Sequence, residues 1–488
     1  MPSAKNTTTR LTIDPGLPRD KPTTSFWQQP LHPLADVASE TLPGRTDVLI
    51  IGSGITGCSV AKTILEQDNA LTVTILEARA LVSGASSRNG GHIVSPSFGD
   101  FIQLIEDFGV KGAVEIAEFT LNNVDATFDA VAELNDPDLS TCSEIRRTEK
   151  VLGIADEETL ERTKRTLDIW NKHMPPSRKN PCRIIGPEEA AAQYGLKNVV
   201  GASIGHGAAV WPYRLWTGLW ENLCKRFSKR LQIETHTPAL NISVIDDANS
   251  DDKYAIVTPR GTIRTKHVVY ATNGFTSHLL PGLRDKMFPV RGTMSAQDLG
   301  PTFANHGAAR SWSFLSKPEY DPKTGTANAG LCYLTQNAKS GLMFLGGEHD
   351  APENIVSADD GVLNPMSAKK VGHVLPGVFA GVQPNKPDVV AIWSGIMGMT
   401  RDGIPLVGRV PTFITPRAGG QEWIAAGFNG YGTGYCFMCG KAIGKMVLGK
   451  AVDWLPGAFE VTEGRFNGSL SNSAFWSALI GSLEGHEQ

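Results

Sequence analysis

Residues 46–91 constrain this chain more than any other stretch. Asp47 to Ile51 is a short apolar run of strand character. It enters Gly52-Ser53-Gly54-Ile55-Thr56-Gly57, a G-x-G-x-x-G. Cys58, Ala61 and Leu65 then share one face of a predicted helix. A second predicted strand, Leu71 to Leu76, ends at Glu77, about twenty residues beyond Gly57. Strand, turn, helix, strand and acid stand in the register of a dinucleotide-binding unit. Gly52 permits the tight turn, Gly54 lets the backbone approach a pyrophosphate, and Gly57 lets the helix pack closely on the strand. The helix N-terminus offers free N–H groups and a positive dipole end to phosphate oxygens. Glu77 would accept hydrogen bonds from a ribose diol.

The remaining composition fits a large globular protein. The chain has 488 residues, 41% hydrophobic and 20% charged, enough for two or three domains or one nucleotide domain with another built into it. A net charge of −4 gives no reason to expect nucleic acid or an anionic membrane surface as partner. Seven scattered cysteines suggest reduced intracellular thiols and a cytoplasmic setting. Cys436 and Cys439 form a CxxC without a partner motif or a histidine cluster, so they read as small core residues on a helix, and no metal site is expected. No run approaches the length of a membrane span, and the first residues lack an apolar signal core.

Residues 1–43 read as an extended, proline-punctuated arm that docks through Phe26, Trp27, Leu31 and Leu34. After the nucleotide unit comes a small-residue loop, 83–92, suited to a flat polar ligand. Residues 101–200 look mainly helical: Ala117, Leu121, Val124, Phe128 and Val131 share one face, a second helix spans 156–173, and Pro187 opens a third. Leu231 to Ile242, Tyr254 to Val257 and Thr262 to Tyr270 are strand-like, and a β-rich block runs from Pro289 to about 350. A second strand–glycine loop–helix, Glu422 to about Leu448, implies a nucleotide domain assembled from distant segments. The expected organisation is an arm (1–43), a discontinuous nucleotide domain (44–100, 201–288 and 391–455), a substrate-side domain (101–200 and 289–390), and a tail (456–488). In the tail, Phe475, Trp476, Leu479 and Ile480 could form one apolar patch.

GSGITG at 52–57, LEAR at 76–79, GASSRNGGH at 84–92 and VVYATNG at 268–274 together resemble the D-amino-acid-oxidase-type FAD oxidoreductases. So do PVRG at 289–292, DGIPLVG at 402–408 and AAGFNGYG at 425–432. That group includes glycine oxidase, monomeric sarcosine oxidase and γ-glutamylputrescine oxidase, and the chain looks closest to fungal and bacterial members with an RNGGH or RNGGQ loop. The resemblance implies an α/β fold: a discontinuous Rossmann-like FAD-binding domain of the GR2 type, and a substrate domain of β-sheet plus helices. It implies FAD with its ADP half at Gly52, Ser53, Gly54, Ile55, Thr56 and Gly57, and at Glu77, Ala78 and Arg79. The isoalloxazine would lie against Gly84, Ala85, Ser86, Arg88, Asn89, Gly90, Gly91 and His92. Gly427, Asn429, Gly430, Tyr431, Gly432 and Thr433 would face it from the other loop, with Ala271, Asn273 and Gly398 nearby. The implied reaction is hydride transfer from a carbon beside an amine nitrogen to flavin N5, with imine hydrolysis and reoxidation by O2 to H2O2.

Departures from the family pattern narrow the expectation. Aligned on Asp402, Gly395 stands where sarcosine-oxidase-like members carry a flavin-linked cysteine, so FAD is expected to be non-covalent. The lysine that holds a substrate carboxylate corresponds to Gly434, the arginine of the early loop to His92, and the usual histidine of the last loop to Tyr431. An amine, or an amino group on a larger scaffold, is therefore favoured over a simple α-amino acid. The catalytic candidates are His92, Tyr431 and Arg88. Each has a plain alternative: His92 as a loop histidine, Tyr431 as a packing residue, Arg88 as a tie between two loops. Arg88 is also a possible substitute anchor for a carboxylate. A flavin-dependent tailoring oxidase or dehydrogenase and a non-catalytic flavin-binding scaffold are the alternative functions, and a monomer or homodimer is expected.

Overall fold

The computed structural model describes residues 10–247, 249–383 and 387–466. The apolar patch expected in the tail lies outside them. Two sheets organise the chain.

The first sheet runs in the order Leu406–Arg409, Glu422–Ala426, Gly261–Tyr270, Arg45–Ile51, Val73–Leu76, Leu231–Glu234. The five strands from 422–426 through to 231–234 pair in parallel. Parallel strands are covered on both faces, which is why residues 47–51 read as continuous apolar sequence. Val48 and Ile50 face a core shared with helix Ile55–Gln67, while Leu49 and Ile51 face a second core containing Tyr254 and Ile256. Helix Gly432–Val447 packs beside 55–67, with Gly440 and Gly444 set against Ser59 and Thr63. Cys436 and Cys439 are buried free thiols on this helix, as the spacing predicts.

The second sheet runs in the order Asp388–Thr400, Met287–Asp298, Met343–Asp350, Thr326–Gln336, Arg310–Leu315, Arg146–Ile154, Gly201–Ala209, Cys182–Ile185. One face carries Val151, Trp312, Phe314, Leu334 and Leu345 into a core with helix Pro365–Val378. The opposite face carries Lys150, Leu152, Ser313, Tyr333 and Met294 toward the first sheet, and these residues line a cavity.

Several expectations are corrected here. Residues 101–200 are mainly helical as expected, but they also contain two strands, 146–154 and 182–185. Gly201–Ala209 and the segment 391–400, expected with the nucleotide unit, hydrogen-bond into the second sheet. The strand-like run 231–242 is two strands, Leu231–Glu234 and Asn241–Val244. The long helix spans Ser97–Ala132 but kinks at Gly109, whose φ is 68°. In the arm, Trp27 is buried and stacks on Phe344 at 3.7 Å, whereas Leu31 stays 60% exposed and does not dock.

Candidate active site

Between the sheets lies a cavity of about 1180 Å³. One end is built by the first glycine turn. Gly52 has φ 107°, and a Cβ there would stand 2.5 Å from the Ala271 carbonyl oxygen, so the turn admits only glycine. Glu77 Oε2 accepts hydrogen bonds from Ser53 N (3.1 Å) and Ser53 Oγ (2.7 Å), and Oε1 accepts from Arg79 N (3.0 Å). The carboxylate is thereby fixed at the strand end, on the cavity wall. Ser86 Oγ accepts from Ile55 N at 3.0 Å and joins the two glycine loops.

The other end is built by the 84–92 loop, the Asn429–Thr433 loop and the second sheet. A Cβ on Gly90 would stand 2.7 Å from the Tyr333 ring, so loop and ring close on each other. Helix Gly432–Val447 begins at this end with Tyr431 as an N-cap that makes no side-chain cap bond. Its positive end opens on the cavity.

Burial holds two candidate residues neutral over a wide pH range. His92 is pushed down to about 3 by burial, with Lys150 and Arg146 adding to the effect, so the ring is neutral near pH 7. Its Nε2 is buried without a partner. Burial pushes the Tyr431 phenol up, with Asp100 adding to it. Arg88 is deeply buried and holds loops together: Nε donates to Ser83 O (2.9 Å) and Nη1 to Ser394 O (2.8 Å). Burial lowers it to about 10 against the opposing charge of Asp360. Its donors tie the early loop to strand 388–400.

Of the sequence-predicted cofactor residues, 52–56, 77–79, 84–86, 88–90, 92, 271, 273 and 429–433 line the cavity. Gly57, Gly91, Gly398 and Gly427 are not among the residues that line it. A side chain at Gly57 would collide with the Gly52 carbonyl, and one at Gly398 with Asn273. Gly91 and Gly427 have φ of 72° and 76° and are backed by Val210 and Thr400. Arg79 reaches the wall, but its guanidinium pairs with buried Asp360 at 2.9 Å.

Sequence reasoning missed much of the polar wall, Asp100, Lys150, Arg162, Tyr333 and Glu348 among it. Glu348 is raised to about 7 by burial. The one sequence signal was a charged residue interrupting an apolar strand run, as in Met343–Asp350.

Fold and cavity together define a dinucleotide-binding α/β protein whose cavity is bounded by a second sheet. The sequence model of the family described as FAD dependent oxidoreductase (DAO) matches residues 47–446, and the chain belongs to that family. A search of the curated proteins finds no match. Among solved structures, glycine oxidase from Geobacillus kaustophilus is 20% identical with a TM-score of 0.62, over 86% of this chain and 99% of that one. L-proline dehydrogenase from P. horikoshii is 18% identical with a TM-score of 0.63, over 86% and 97%. L-amino acid deaminase from Proteus myxofaciens, in complex with anthranilate, is 18% identical with a TM-score of 0.63, over 93% and 100%. These similarities concern the fold.

The residues present fit FAD. Gly52 and Gly54 bring no side chain to the cavity wall, Glu77 lines it at the end of strand Val73–Leu76, and helix Gly432–Val447 starts at the far end with its positive dipole end on the cavity.

Proposed function

We propose that this chain oxidises a C–N bond of an amine or amino acid, with O2 as electron acceptor and imine and H2O2 as products. Bound non-covalently, FAD supplies the acceptor for two electrons and a proton. The first sheet is read as the cofactor side and the second as the substrate side. The observation that carries this reading is the continuity of the cavity: the Gly52–Thr56 slot opens without a break onto the polar face of Lys150, Ser313, Tyr333 and Glu348. A substrate lying there is sandwiched between the 84–92 loop and that face, and the chain's main contribution is orientation.

The loss of the family's two carboxylate anchors, at His92 and Gly434, favours an amine, or an amine whose carboxylate lies far enough from the reacting carbon to reach Lys150 or Arg162 on the wall. His92 is neutral. At Gly434 any Cβ would stand 2.6 Å from the Val94 carbonyl oxygen, so no lysine can stand there without moving that segment. The test is anaerobic bleaching of the purified yellow protein by an amine panel, followed by peroxide measurement in air. Bleaching by amines with stoichiometric peroxide is expected. A flavin that no amine reduces overturns the reading.

A further inference from the structure

Among the cavity-lining residues of the second sheet, Glu348 is the one carboxyl. Its oxygens accept hydrogen bonds only from neutral donors: Thr293 N to Oε1 (2.7 Å), Asn364 Nδ2 to Oε2 (3.2 Å) and, weakly, Ser367 Oγ (3.5 Å). The nearby cation, Arg291, is spent elsewhere: Nε donates to Asn364 Oδ1 at 2.6 Å and Nη1 to Asp359 O at 2.9 Å. The Asn364 amide is thus interposed between guanidinium and carboxyl. Among the described residues no cation lies within ion-pair distance of Glu348. A buried carboxylate without a cation is costly unless something supplies one.

The approach from the cavity is open. Gly292 lies beside Glu348 on the wall, and a Cβ there would stand 3.3 Å from Oε1. The lane toward Oε1 therefore exists because residue 292 has no side chain.

We propose that Glu348 receives the substrate's ammonium: Oε1 accepts a hydrogen bond from N–H⁺ and then the proton itself, leaving a neutral amine in the cavity. The step moves one proton from nitrogen to oxygen and no electrons. It rests on the amine reading above and defines the substrate as a primary or secondary amine that is cationic in solution. The titratable groups facing Glu348 are Tyr333 and Cys332 on one neighbouring strand, Arg291 on the other, and Asp350 on its own strand. Tyr333 and Cys332 are pushed up by burial and stay neutral, so the Glu348 carboxyl governs the response near pH 7. Proton acceptance from an ammonium needs the ionised carboxyl, which is lost as pH falls below about 7.

The experiment is calorimetric titration of the holoenzyme under nitrogen, at about pH 8 where the carboxyl is ionised. The probes are methylamine, butylamine and benzylamine, each paired with its alcohol. At least one amine is expected to bind wild type at least about tenfold tighter than Glu348→Gln, with its alcohol unaffected and with amine affinity falling toward acid pH only in wild type. Equal amine affinity in both proteins, an equal loss for the alcohol, or no amine bound by wild type overturns the proposal. If Glu348→Gln does not hold flavin, Gly292→Ala places a methyl in the lane and is expected to weaken the amine selectively; unchanged amine affinity there also overturns it. Amines that bind through Glu348 without bleaching the flavin would defeat the oxidase reading alone. Amines that bleach wild type and Glu348→Gln equally, at all pH values, would defeat the role of Glu348 alone.

Discussion

Arg79 and Asp360, 281 positions apart in sequence, form a buried ion pair at 2.9 Å that closes the nucleotide end of the cavity. Arg88 lies 3.9 Å from the same carboxylate, and the Asp360 carbonyl accepts from Thr23 N at 2.7 Å. One acid therefore neutralises two buried guanidiniums and anchors the arm. Removing it leaves both uncompensated, and breaking a buried pair from one side costs about 3–5 kcal/mol. Asp360→Asn is expected to unfold at markedly lower denaturant, as read by fluorescence; an unchanged midpoint would contradict this account.

Gly54→Val is expected to abolish flavin content while leaving circular dichroism near wild type. A Cβ at Gly54 would stand 2.7 Å from Ser86 Oγ, and the rest of the side chain would occupy the pyrophosphate space. A variant that purifies with full yellow colour would refute the assignment of this turn.

Acid precipitation is expected to leave the flavin in the supernatant. Gly395 has no nucleophile, and the space beside it is filled by Arg88, whose Cβ lies 3.1 Å from a Cβ built on Gly395. Colour retained in the pellet would show a covalent link elsewhere.

Amines are expected to exceed their α-carboxylated analogues in kcat/KM by at least about tenfold, because each missing charge-assisted bond forfeits about 1.5–3 kcal/mol. Arg88 commits Nε and Nη1 to Ser83 and Ser394, which leaves Nη2 as its one route to a carboxylate. A preference for the carboxylated partner, lost in Lys150→Met, would reassign that role to Lys150.

His92 gives stability a definite pH dependence. Its folded value, about 3, lies below the ordinary 6.5. Below pH 6.5 the unfolded chain gains a proton that the folded chain refuses, so stability falls with pH from 6.5 toward 3. His92→Asn is expected to lose less stability than wild type between neutral and mildly acidic pH, measured by urea unfolding. Parallel profiles would show that the ring is not held neutral.

The nucleotide end was legible in sequence because its constraints are local: a turn that only glycine fits, a helix start, and an acid at a strand end. The substrate side was not. In Arg146–Ile154 the alternation that marks a strand is broken because the Lys150 face looks into a polar cavity instead of a core. The strand was consequently absorbed into a helical block. Glu348 was equally opaque, since its meaning depends on Arg291 being engaged by Asn364, a relationship between distant segments. Arg79 and Arg88 show the converse case: residues placed correctly at the wall whose charge is committed to Asp360 and to loop carbonyls.

The cavity wall takes residues from Gly16, Leu17 and Pro18 at one extreme of the chain to Tyr435 and Cys436 at the other. During synthesis, the ring end of the slot has no helix N-terminus until residues 432–447 have emerged from the ribosome. The βαβ unit at 45–77 is made early and must wait, with its phosphate-binding turn exposed, for more than three hundred residues to follow. Capture of the complete cofactor is therefore an event of the finished polypeptide, and a truncated product ending before Gly432 would be colourless however well its first sheet had formed.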